Sequence, residues 1–236
     1  MISKNKKHSQ VTILIVDDNP IKLKTLSNIL IKNGYQCMTA DNGEDAIKLS
    51  VEKRPDLIIL DVIMPVMDGF QTCQRIKSNN DIKDIPIIFL SGLYDEKSIV
   101  KGFNEGGVDY IAIPFRNEEI LARVNTHITI YQQKRSLRQR EQFFQTLINV
   151  LPNAVFYKTL DGIYTGCNRL YENILERPLD EIVGKHSFDL FPKDLAEKIE
   201  NTDKELISRG GRLEYEKEYI NINGKVYGPY EEKPII

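Results

Sequence analysis

Short, predominantly apolar runs alternate along the chain with longer stretches in which apolar residues recur every three or four positions. Val11 to Val16, Leu57 to Leu60 and Ile85 to Leu90 are the runs. Each is strand-sized and bounded by Pro, Gly or acidic residues, the pattern of strands buried on both faces of a parallel sheet. Gln36 to Ala40 and Asp109 to Ile113 read as two further strands, the last broken by Pro114. Between them, Asn19 is suited to cap a helix and Pro20 to occupy its first position, and Leu23, Leu26, Ile29 and Leu30 follow at helical spacing until Asn33-Gly34. Another helix opens at Asn42-Gly43 and closes at Arg54-Pro55, one covers Phe70 to Lys77, and one runs from a cap at Asp95 to Glu105. Alternating strands and helices with short connections predict an α/β fold. The expected form is a doubly wound five-stranded parallel sheet in the order 2-1-3-4-5.

The pattern then changes. Asn117 begins a helical stretch with no breaker before Pro152, longer than a usual globular helix, so it reads as a connector. Ile120, Val124, Ile128 and Tyr131 form one apolar face, and Leu137, Phe144, Leu147, Ile148 and Leu151 resume it. Lys134, Arg135, Arg138 and Arg140 interrupt the seam; without interleaved aromatics they read as a solvated face rather than a nucleic-acid patch. From Asn153 the segments are short. Val155 to Tyr157 and Ile163 to Thr165 flank an Asp161-Gly162 hairpin signal, and Leu195 to Ser208 is helical as far as Gly210-Gly211. Leu213 to Ile222 alternates like a strand into Asn223-Gly224, but Gly228-Pro229 breaks the return. The expected organisation is a disordered tail over 1–10, a first domain over 11–131, a helical linker over 132–150 and an incomplete α+β domain over 151–236.

Composition narrows the function classes. A chain of 236 residues has room for two domains, and a net charge of -2 with 28% charged residues gives no pull toward nucleic acid or an anionic membrane. No run is long enough to span a bilayer, so a cytoplasmic location is expected. Cys37, Cys73 and Cys167 form no Cys-x-x-Cys pair and read as reduced packing residues.

In the expected strand order, the carboxyl ends of strands one, three, four and five converge, where open α/β sheets bind ligands. Asp17, Asp18, Asp61, Ser91 and Ile113 should therefore meet in one shallow site. Asp61 alone would also fit a loop residue that caps the following helix. Clustered carboxylates repel one another and call for a cation, and an all-oxygen set with open positions suits Mg²⁺. Beside such an ion Asp61 becomes a nucleophile that forms an aspartyl phosphate, and the Ser91 hydroxyl is placed to donate to the phosphoryl group.

Asp17-Asp18, Asp61 with Met64-Pro65 and Asp68-Gly69, Ser91-Gly92, and Asp109-Tyr110 through Pro114-Phe115 resemble the receiver domain of two-component response regulators, over roughly Val11 to Tyr131. The resemblance implies a phosphorelay in which a partner histidine kinase or phosphotransfer protein supplies the phosphoryl group to Asp61. It implies Mg²⁺ held by Asp18, Asp61 and the backbone carbonyl of Ile63, with Asp17 acting mostly through water, and a switch in which Ser91 moves and Tyr110 turns inward. One position departs from the pattern: the family places a Lys immediately before the Pro of Pro114-Phe115, and Ile113 stands here. An ammonium about 4 Å from a phosphoryl oxygen is worth on the order of 4 kcal/mol before desolvation is subtracted. Its loss should weaken the phosphorylated state, and the alternative is a pseudo-receiver used for docking.

Leu151-Pro152-Asn153-Ala154, Asp161-Gly162, Asn168, Val183-Gly184-Lys185 and Phe188 to Pro192 resemble the opening half of a PAS sensor domain. There His186 reads as a surface or capping histidine before a haem ligand, and Cys167 as core before a flavin-reactive thiol. The whole is expected to be a regulatory module, not an enzyme, that relays phosphorylation to the PAS domain and to a downstream effector or fused output domain. A homodimer through the receiver face or the connector helix is a further expected association. The rival reading is a fragment of a hybrid histidine kinase or cyclase. Neither His127 nor His186 has a kinase-like phosphoacceptor setting, and Gly210 to Glu214 lacks a cyclase's acidic pair. A haloacid dehalogenase type of phosphatase would need Asp-x-Asp, whereas Asp17 and Asp18 are adjacent.

Overall fold

Every residue of Leu57–Asp61 and of Ile87–Ser91 is buried, and these two strands form the middle of a parallel sheet. The computed structural model describes residues 11–92 and 96–209, together with the backbone of 219–220 and 226–227. It divides into two units, Met1–Leu137 and Arg138–Ile236.

The first unit holds β1 (Thr12–Val16), β2 (Gln36–Ala40), β3 (Leu57–Asp61), β4 (Ile87–Ser91) and β5 (Asp109–Ala112) in the order β2-β1-β3-β4-β5. All neighbouring pairs are parallel. Alternation along the strands divides the core into two layers. Leu14, Ile58, Leu60 and Phe89 pack with Phe70, Cys73 and Ile76 of α3 (Gly69–Ser78) and with Ala46 of α2 (Gly43–Lys53). Ile13, Ile15, Leu57, Ile59 and Ile111 pack with Leu26 and Leu30 of α1 (Pro20–Lys32) and with Ile120, Val124 and Ile128 of α5 (Asn117–Asn149). Burying each large aliphatic side chain stabilises the fold by about 1.5–3 kcal/mol, so the two layers supply the main driving force.

Helix starts follow local chemistry. The Asn19 side chain accepts from the backbone N–H groups of Ile21 and Lys22 at 2.9 and 3.3 Å, and Asn42 accepts from Asp45 at 2.9 Å. Asp68 and Gln71 close a reciprocal capping box. The strand before α4 (Glu96–Asn104) begins at Ile87 and reaches Ser91, a shift from the expected 85–90. Pro86 has no N–H to donate to a ladder, so the strand opens after it. The last strand ends at Ala112, and the expected cap at Asp95 lies outside the described residues.

In the second unit β6 (Phe156–Lys158) and β7 (Tyr164–Cys167) form the expected hairpin, followed by α6 (Arg169–Leu175), α7 (Leu179–Ile182), α8 (Ser187–Leu190) and α9 (Lys193–Arg209). The helices α7 and α8, four residues each, are too short to show a period and were not expected. Tyr164, Cys167, Tyr171, Ile182 and Leu190 are buried together. Asn168 is the polar hub: its Nδ2 donates to the carbonyls of Ile148 and Asn153 at 3.0 and 2.8 Å, and its Oδ1 accepts from Val155 and Tyr171 N–H groups at 2.9 and 3.1 Å. A satisfied buried amide of this kind fixes where three backbone segments meet. The His186 N–H donates to Asp189 at 2.8 Å at the start of α8, while its ring touches the Asp161 carbonyl and Glu200, a capping and packing role. Cys167 is wholly buried, and its thiol is pushed up to about 12 by that burial, which leaves it inert at neutral pH. A two-residue antiparallel pair joins β8 (Tyr219–Ile220) to β9 (Val226–Tyr227). The Asn223-Gly224 turn expected between them lies outside the described residues. Among the described residues, no helix is long and apolar enough to cross a membrane.

Asp109 ties β5 to α5: Arg123 Nη1 lies 2.6 Å from one carboxylate oxygen and His127 Nε2 2.9 Å from the other. Burial opposes its charge, but the hydrogen bonds from Arg123 and His127 outweigh that and hold the carboxyl below the ordinary range. A depressed native value contributes stability above the unfolded value of about 3.9 and loses it as pH falls through the native one. Asp109→Asn should therefore lower stability at neutral pH by about 1–2 kcal/mol, with the gap to wild type closing in acid; urea melts at neutral and acidic pH check this.

Candidate functional site

The register that pairs Val16 with Leu60 sends the next residue of each strand, Asp17 and Asp61, out of the same end of the sheet. The Asp17 N–H donates to the Ala40 carbonyl at 3.2 Å, so the backbone is held to the last position of the ladder. Asp17 is 0% and Asp61 2% exposed, while Asp18 faces solvent. Carboxylate oxygens of Asp17, Asp18 and Asp61 lie within 4.8 Å of one another. The structure thus brings together the three acidic residues read from the sequence.

Each buried carboxylate has one oxygen held by backbone. Asp17 Oδ1 accepts from the Asn19 N–H at 2.8 Å, and Asp61 Oδ1 from the Ile63 N–H at 3.4 Å. The remaining oxygens face a residue that sequence reading missed: Lys22 Nζ donates to Asp61 Oδ2 at 2.9 Å and lies 3.1 Å from Asp17 Oδ2. Burial raises the pKa of the Asp17 carboxyl, and the Asp61 charge adds to that. For Lys22, burial opposes the charge, yet the contacts with Asp61 and Asp17 outweigh it and raise its pKa. A signal for Lys22 was present in the sequence. It lies one helical turn beyond Asp18, on the first turn of the helix that starts at the site.

The loop after β3 is folded tightly against the strand end. The Gly69 N–H donates to the Val62 carbonyl at 2.9 Å, and a Cβ on Gly69 would stand 2.2 Å from the Asp61 carbonyl oxygen. Val66 is fully exposed with φ 68°, and the Met67 N–H donates across it to the Pro65 carbonyl at 2.8 Å. This is a γ-turn centred on a β-branched residue, a costly conformation. Ile63 is exposed beside Asp61.

Ser91 is buried at the end of β4, one residue beyond the Leu90 that pairs with Asp61. Its carbonyl accepts from the Ile113 N–H at 2.9 Å. Tyr110 is buried in β5 with its ring centroid 6.2 Å from that of Phe89, so the side chain lies inward in this conformation. Ile113 corrects the sequence expectation of one shared site: its side chain packs on the core layer of α1 and α5. An apolar side chain gains more there than beside carboxylates. The cation at the cluster comes from α1 instead.

The donor set suits a hard divalent ion. It is all oxygen and partly open through exposed Asp18, and its buried Asp17 Oδ2 is met by the Lys22 ammonium at 3.1 Å, a charge that a divalent ion could replace. The doubly wound sheet with an acidic pocket at its carboxyl edge is the arrangement that the resemblance to receiver domains implies. Residues 13–125 match the response regulator receiver domain, and residues 148–227 match a PAS fold. Protein PilH of Pseudomonas aeruginosa is 34% identical over 113 residues, covering 48% of this chain and 93% of that protein. A Vibrio cholerae protein named "Probable cyclic di-GMP phosphodiesterase" is 30% identical over 198 residues, covering 83% of this chain and 43% of the relative. The crystal structure of a signal receiver domain from Vibrio parahaemolyticus shares the fold, at 22% identity and a TM-score of 0.52, covering 54% of this chain and 97% of that one. The chain belongs to the response regulator receiver family and couples its receiver to a PAS fold, the make-up of a signal-transduction module.

Gly69→Ala should cost about 3 kcal/mol, because the added methyl meets backbone atoms of Asp61 and Val62 that cannot turn away. A denaturant melt measures the loss; a variant within experimental error of wild type would show that the loop is not seated on β3.

Proposed function

We propose that the receiver, over residues 11–131, accepts a phosphoryl group on Asp61 and passes that state to the PAS unit over 151–236 through the linker over 132–150, which continues α5 to its end at Asn149. The observation that carries this reading is the convergence of Asp17, Asp18 and buried Asp61 at one sheet edge. An Asp61 oxygen attacks the phosphorus of a phosphohistidine on a kinase or phosphotransfer protein. The new P–O bond replaces the P–N bond, and the leaving imidazole keeps the electron pair and takes up a proton. Asp18, Asp61 and the backbone carbonyl of Ile63 would hold Mg²⁺, with Asp17 acting through water; when bound, the ion screens the charge between carboxylate and phosphoryl group. Ser91 would donate its hydroxyl hydrogen to a phosphoryl oxygen, and Tyr110 would report the change through its packing on Phe89. The output is partner binding by a downstream effector or a fused domain. The Vibrio cholerae relative, of which this chain spans 43%, favours a second reading in which the chain is one part of a longer signalling enzyme.

Incubating the protein with Mg²⁺ and acetyl phosphate tests the first step. Intact-protein mass spectrometry should show one added phosphoryl group, absent from Asp61→Asn and released by mild alkali. No mass gain on the wild type would favour the docking pseudo-receiver.

A further inference from the structure

Asp61 has two oxygens and two partners. One oxygen takes the Ile63 N–H at 3.4 Å, and the other takes the ammonium of Lys22 at 2.9 Å. The same ammonium is 3.1 Å from Asp17 Oδ2. It is therefore the resident counter-ion between the two buried carboxylates, at the position where a divalent ion would also have to neutralise charge. Its base is fixed, because Lys22 is on the first turn of α1 and its own backbone N–H donates to the Asn19 cap. Its side chain is 35% exposed, which gives the ammonium room to move while its stem stays anchored. Ile113, at the sequence position where the resemblance implies a second cation, is apolar, partly buried and packed against the core layer of α1 and α5.

From this arrangement we propose that Lys22 is a functional residue of the phosphoacceptor site. Its ammonium neutralises Asp61 and Asp17 in the resting protein and competes there with the divalent ion. It then pairs with the phosphoryl oxygens once Asp61 carries a phosphoryl group, supplying the positive charge that Ile113 does not. The second half rests on the reading of Asp61 as phosphoacceptor; the first half does not. Phosphorylation turns a carboxylate into a group with more negative charge and more acceptor oxygens, so a lysine already bonded to Asp61 Oδ2 gains partners without leaving the site. A tether role would have the opposite consequence for metal. If Lys22 served only to tie α1 to β3, removing it would loosen the carboxylates and weaken their hold on a cation.

Lys22→Gln and Lys22→Arg separate these cases. Calorimetric titration with Mg²⁺ alone should show Lys22→Gln binding about tenfold more tightly than wild type, or about 1.4 kcal/mol, with Lys22→Arg close to wild type. At saturating Mg²⁺, phosphorylation of Lys22→Gln by acetyl phosphate should be about tenfold slower than wild type, the scale of one charged contact to the phosphoryl group, and Lys22→Arg should recover most of the rate. Unchanged or weaker Mg²⁺ binding by Lys22→Gln overturns the counter-ion, and an unchanged or faster phosphorylation rate overturns the phosphoryl contact. If the wild type itself takes up no phosphoryl group, the proposed function and the phosphoryl contact fall together, while the Mg²⁺ titration still decides the counter-ion.

Discussion

Two carboxylates buried side by side at the end of a parallel sheet are unfavourable unless a cation sits between them, and the first unit is arranged around that constraint. Asp17 and Asp61 cannot separate, because each continues a strand whose preceding residues are wholly buried and laddered to one another. Neutralisation has to come from outside the strands. It comes from Lys22, delivered by a helix that starts three residues after Asp17 and is fixed by the Asn19 cap. The site is thus charged, partly dry and held by backbone, the conditions under which an electrostatic change at one carboxylate is felt by its neighbours.

The surrounding structure serves the same end. Gly69 lets the loop after β3 lie against the Asp61 carbonyl, and the same loop contains the γ-turn at Val66. Phe70, Phe89 and Tyr110 form a line of ring contacts under that loop, with centroids 5.2 and 6.2 Å apart. The second unit is organised differently, around a neutral amide. The Asn168 side chain makes four hydrogen bonds, all to backbone.

Much of this was legible in the chain itself. Buried strands read as apolar runs because both of their faces are covered, and short connections with right-handed crossovers leave few sheet orders, of which the doubly wound one was expected and is observed. Asp17, Asp18 and Asp61 were legible for the same reason: a carboxylate that ends an apolar run in such a sheet has one place to go. Helices of four residues were not legible, since α7 and α8 are shorter than the period that would reveal them. Nor was the role of Ile113, because its sequence position beside Pro114 does not say which way its side chain turns.

What the sequence determined by itself was the α/β alternation, the sheet order and the gathering of acidic residues at one edge, all of which depend on local periodicity and chain connectivity. Tertiary structure alone decided which cation answers those acids. Lys22 and Asp61 are thirty-nine residues apart. The place of Lys22 on the first turn of α1 puts it near the site, but its contact with Asp61 depends on how that helix leans over the sheet edge, a matter of packing and distance.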